Sequence, residues 1–87
     1  MSSHPADYLL FSFESSDLAS LALDKVKNLD KARLIPLPPE IDAGCGFALR
    51  ILPQDLKRAR GLIGQGRYSD IYSLVKSSTG REIVKIS

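Results

Sequence analysis

The chain has one thiol. Cys45 stands between Gly44 and Gly46, after the approach Pro36-Leu37-Pro38-Pro39-Glu40-Ile41-Asp42 and ahead of Phe47-Ala48-Leu49-Arg50. A thiol between two residues without side chains is open to a second reactant, and its chemistry is nucleophilic attack by the thiolate on another sulfur. A single cysteine rules out an internal disulfide, a two-thiol redox centre and a Cys-rich zinc site, so any exchange partner must bring its own thiol. The neighbours do not help ionisation: Glu40 and Asp42 oppose it and Arg50 is several residues away. Activation must therefore come from tertiary placement. A helix N-terminus lowers a thiol pKa, and consecutive backbone N–H groups around Gly44 and Gly46 can form a nest for an anionic sulfur. The opposing possibility is that Cys45 is a small packing hydrophobe: strand alternation starting at Cys45 would aim it at the core with Phe47 and Leu49.

The elements that must position this thiol follow from periodicity. Tyr8 to Phe13 is a short, apolar, aromatic-rich run that predicts a buried strand. Glu14-Ser15-Ser16-Asp17 then offers a serine cap and an early acid, and Leu18, Leu21, Ala22, Val26 and Leu29 form the stripe of a helix over about residues 16–29. Residues 32–38 predict a second strand, held to a sheet edge by Pro36. Residues 47–52 predict a third, with Phe47, Leu49 and Ile51 on one face. Pro53 and Asp55 open a second helix in which Leu56, Ala59, Leu62 and Ile63 face inward, and Gly64 and Gly66 stop it. Residues 68–75 and 82–87 predict two further strands around a turn at Ser77-Ser78-Thr79-Gly80.

This order predicts an α+β fold, a ferredoxin-like βαββαβ two-layer sandwich with an additional C-terminal strand. The expected organisation is a flexible N-terminal tail over residues 1–7, one domain over 8–76, and a turn with an extra strand over 77–87. In that topology the Cys45 loop, the start of the first helix at Ser15 and Ser16, and the turn at Gly64 to Arg67 share one end of the sheet. Ser15, Ser16, Gly44 and Gly46 are therefore the residues expected to surround the sulfur of Cys45.

Composition bounds the function. The 87 residues suffice for one small domain, and 44% hydrophobic with 25% charged residues is ordinary for a globular chain. A net charge of +2 is too small to imply nucleic acid, although residues 1–43 hold four cations against seven carboxylates and residues 44–87 hold eight against three. RNA binding on the sheet would need exposed aromatics, which the core or strand ends claim here. No apolar run spans a membrane. His4, beside Pro5, has no co-ligands in sequence, so neither a metal nor another cofactor is expected. Met1 to Asp7 lacks the basic start and apolar stretch of a secretory signal, and with a single free cysteine this makes the cytoplasm the expected location.

Two stretches resemble a known family. The run Arg33-Leu34-Ile35-Pro36-Leu37-Pro38-Pro39-Glu40-Ile41, then Cys45-Gly46-Phe47-Ala48-Leu49-Arg50 and Pro53-Gln54-Asp55-Leu56, is similar to the small bacterial selenium or sulfur carrier-like domains, and so is the opening Tyr8 to Ser15. The resemblance covers roughly residues 8–75. It implies a carrier that holds sulfur or selenium on Cys45 as a persulfide or selenosulfide, at most sulfurtransferase-like, with a donor such as a cysteine desulfurase and an acceptor enzyme as partners. The segment from Ser77 onward departs from such domains and offers an edge for a homodimer. The alternative is a non-enzymatic regulatory or protein-interaction module with a structural cysteine.

Overall fold

In β1 (Tyr8–Ser12) Leu9, Leu10, Phe11 and Ser12 are all buried. Successive strand residues face opposite sides of a sheet, so a strand with no exposed side must be central and covered on both faces. The computed structural model, which describes residues 6–42 and 45–87, places it so. Five strands form one antiparallel sheet in the order β2-β3-β1-β4-β5, with β2 at Arg33–Pro36, β3 at Phe47–Ile51, β4 at Ile71–Ser77 and β5 at Gly80–Lys85. The pairings Phe11↔Leu49 and Phe11↔Ile71 fix the register about β1. Helices α1 (Ser16–Lys25) and α2 (Leu56–Ile63) connect β1 to β2 and β3 to β4. In each case the strand between the connected pair belongs to the other unit.

Two apolar clusters sandwich the sheet. Leu9, Phe11, Leu49, Ile51 and Ile71 meet Ala19, Ala22 and Val26 of the α1 region and Ala59 and Ile63 of α2. On the far face Leu10, Ala48 and Leu74 are covered by Ile41, which is only 4% exposed, with Leu37 beside it. The proline-rich approach to Cys45 is thus a lid over the far face.

Helix α1 starts at Ser15, whose hydroxyl accepts the Leu18 N–H at 3.2 Å and satisfies one orphan donor of the first turn. It ends at Lys25, four residues before the periodicity predicts. Val26, Leu29 and Ala32 remain buried on successive turns, with Leu29 N–H donating to Val26 O at 2.8 Å and Ala32 N–H to Leu29 O at 3.2 Å. Apolar anchors every three residues suit such turns as well as a helix. Pro53–Asp55 is a 3₁₀ turn that precedes α2, and Gly64, at φ +96°, terminates α2. Leu21 and Leu62, expected inward, lie exposed on the helix flanks. The strand expected from Tyr68 starts at Ile71; Tyr68 instead packs edge-on against Phe11 with ring centroids 4.9 Å apart. The last strand is Gly80–Lys85 rather than 82–87, because the β4–β5 hairpin pairs Ser77 with Gly80 across only two residues. Ala6 packs on the helix-side core, and Asp7 N–H donates to Leu74 O at 2.9 Å.

Candidate functional site

The sheet register decides which groups share an end with the thiol. Ser12 pairs with Ala48 and Pro36 with Phe47, so β3 begins where β1 finishes. Helix α1 starts just beyond β1, at the same end. The loop after α2 returns there as well: Ser69 N–H donates to Ser12 O at 2.7 Å, and Asp70 N–H to the buried Ser12 hydroxyl at 3.1 Å. Cys45, Ser15, Ser16 and Gly46 all lie at this end. Gly44 lies outside the described residues.

Within that end the side chains have separate engagements. Cys45 is half-buried at the margin of the helix-side core, and its thiol donates to the Phe47 carbonyl at 3.7 Å. The Ser15 hydroxyl caps α1, Ser16 is exposed at the start of the helix, and no hydrogen bond among the described residues joins either serine to Cys45. Gly46 takes φ +97°, a conformation that glycine adopts without strain, and its carbonyl accepts the Leu37 N–H at 2.8 Å. That bond ties the exit from the thiol to the proline-rich approach. An open cleft of about 260 Å³ at the same end is lined by Glu14, Leu18, Gly66, Tyr68 and Ser69. Cys45 is not among its walls.

The electrostatics of the approach differ from the sequence expectation. Glu40, expected to oppose thiolate formation, is turned to β5, where Arg81 Nε and Nη2 donate to its two carboxylate oxygens at 3.0 and 3.1 Å. This forked contact holds the Glu40 carboxyl below its ordinary range and raises Arg81. Glu40 is therefore half of a neutralised pair rather than a free negative charge. Nothing in the residue pattern could have located the contact, because its partners are 41 positions apart and neither strand periodicity nor capping links them.

Among the described residues no three His, Cys, Asp or Glu side chains gather as a metal site, and no helix is long and apolar enough to cross a membrane. A family profile described as "Putative Se/S carrier protein-like" matches residues 8–73, from the first residue of β1 into β4. No curated protein and no solved structure matches the chain. The profile covers most of the chain and includes Cys45, and the protein belongs to this family.

Proposed function

From membership of the Se/S carrier-like family, we propose that the protein carries sulfur or selenium on Cys45 and delivers it to an acceptor protein. The observation that carries this reading is the position of the chain's one thiol: inside the family-matched region, half-exposed, just ahead of β3 and at the sheet end where α1 starts. In the loading step the Cys45 thiolate attacks the outer sulfur of a donor persulfide, such as that of a cysteine desulfurase. A bond forms between Cys45 Sγ and that sulfur, the donor S–S bond breaks, and the donor thiolate leaves with the bonding pair. The transferred sulfur keeps its oxidation level, so no external oxidant or reductant is consumed. Delivery repeats the step with the acceptor thiol as nucleophile, and selenium follows the same course through a selenosulfide. With one cysteine, no second thiol of the chain can expel the cargo as an internal disulfide. Ser15, Ser16 and Gly46 form the surround of the loaded sulfur in this reading, with the α1 N-terminus and the backbone near Gly46 favouring its anionic form. A reducing compartment, the cytoplasm, suits a free thiol of this kind. We read the first four strands and both helices as a ferredoxin-like sandwich, supported by the two interleaved βαβ units.

Intact mass spectrometry of protein purified without reductant tests the proposal. The expected result is an added mass of one sulfur or selenium atom on the Cys45 peptide, removed by dithiothreitol and absent from Cys45→Ser. A Cys45→Ser protein that still accepts labelled sulfur from a cysteine desulfurase would refute it. The packing of Cys45 against the helix-side core favours a second reading, an interaction module with a structural cysteine. It predicts slow alkylation of the folded protein and fast alkylation in denaturant, with no loading in either the purified or the desulfurase-treated protein.

A further inference from the structure

The far face of the sheet gathers five cations, Arg33, Arg50, Lys76, Arg81 and Lys85, as the strand pairings Arg33↔Arg50, Leu10↔Arg50, Leu10↔Tyr72, Tyr72↔Lys85 and Lys76↔Arg81 require. Two of them have carboxylate partners: Arg81 is paired with Glu40, and Lys85 with Asp70 at 3.3 Å. Among the described residues Arg33, Arg50 and Lys76 have none within ion-pair distance, and the nearby Asp7 spends a carboxylate oxygen on the Lys76 backbone N–H at 2.6 Å. Arg33 and Arg50 are direct cross-strand neighbours, an arrangement that like charges disfavour. Arg50 is also held in place: its guanidinium carbon lies 4.5 Å from the centre of the Tyr8 ring, with Lys76 Nζ at 5.4 Å from the same ring. Its Nε is shut off from solvent and has no hydrogen-bond acceptor, although a buried donor ordinarily has one. The missing carboxylate partners and the opposition of like charges have one common remedy, an anion between the two guanidinium groups.

We propose that Arg33 and Arg50, supported by Lys76 and by the Tyr8 platform, bind a dianionic oxyanion of the phosphate class on the far face. Two forked cations match two negative charges, and their terminal Nη groups supply donors that a tetrahedral oxyanion accepts. The site is separate from the thiol: Cys45 packs at the helix-side core, whereas Arg50 sits on the opposite face, toward the other end of β3.

Titration of the whole protein with inorganic phosphate, followed by the arginine Nε–H resonances in ¹⁵N NMR at constant ionic strength, tests the site. The Arg50 Nε–H signal is expected to shift and saturate with phosphate, with acetate and chloride at matched ionic strength giving no comparable response. Arg50→Lys, which keeps the charge and loses the fork, is expected to weaken binding by about tenfold, the loss of one charge-assisted hydrogen bond. Arg33→Gln, at an exposed position that leaves the core untouched, is expected to weaken it by roughly threefold to fivefold. Cys45→Ser is expected to bind phosphate as the unaltered chain does, which separates this site from the carrier reading. Equal responses to phosphate and chloride, or unchanged affinity in both Arg50→Lys and Arg33→Gln, would overturn the proposal.

Discussion

Ile41 anchors the proline-rich approach to the thiol in the far-face cluster, and replacing it with alanine measures that anchoring. Its side chain is 4% exposed and closes the far-face cluster over Leu10, Ala48 and Leu74. Ile41→Ala removes three carbons, worth about 0.8 kcal/mol each in transfer from water, and leaves a cavity that the neighbouring loop fills in part. The expected loss is about 2.5–3.5 kcal/mol, within the usual span for such truncations. A domain of this size has a total stability of roughly 4–13 kcal/mol, so the variant folds but with a much reduced margin. In urea, with a slope of about 1 kcal/mol per molar for a small chain, the midpoint should fall by about 2.5–3.5 M at unchanged slope. Cys45 alkylation by iodoacetamide in native buffer supplies the local readout. It should accelerate beyond what the fall in global stability accounts for, because the cluster that holds residues 37–42 also fixes the approach to the thiol. A loss below about 1 kcal/mol, typical of surface positions, together with an unchanged alkylation rate, would refute the description of this loop as an anchored lid.

Two further outcomes are expected. Gly46→Ala should cost about 1–2 kcal/mol by thermal or urea unfolding; the added Cβ meets no atom within 4 Å, so the cost arises from φ +97° alone and D-alanine at this position should be tolerated, whereas a neutral L-alanine variant would contradict the backbone assignment. The Glu40 carboxyl, lowered by its hydrogen bonds from Arg81, should titrate by NMR below its ordinary value of 4.5. Because the folded value lies below the unfolded one, the contact's stabilisation is present above pH 4.5 and disappears as the pH falls through the folded value. Arg81→Gln should return the midpoint toward 4.5, and a midpoint at or above 4.5 in the unaltered chain would remove the pair from solution.

Much of the scaffold is legible in the residues because periodicity reports burial. The apolar run at Tyr8 to Phe13 reveals a buried strand, and Ser15 reveals its role as a cap through its position before an apolar stripe. The errors have a shared cause. Leu21 and Leu62 fall on the predicted inner faces, yet they are exposed while Ala19, Ala22 and Ala59 are buried. Small side chains bring a helix backbone near, and in a two-layer domain the larger leucines are left on the flanks. Tyr68 has strand-like composition but serves as an edge-on neighbour of Phe11, a role that depends on where the α2 loop returns. For the candidate site, chain order alone set Cys45 and Ser15 at one end of the sheet. The partners of Glu40 and the opposition of Arg33 to Arg50 depend on strand register, which periodicity along the chain does not reveal.

The two margins of the sheet are chemically unequal. Leu37 N–H bonds inward to Gly46, so alternation turns the backbone of Pro36 outward, where a proline has no N–H to offer a further strand. With only four residues, β2 presents almost no template for strand addition. At the opposite margin β5 has six residues and no proline, and its hairpin pairing leaves the backbone groups of Arg81, Ile83 and Lys85 directed away from β4. Among the described residues, one margin of the sheet is competent for strand addition. Edge-to-edge joining through β5 consumes that margin on both copies and stops at a closed pair.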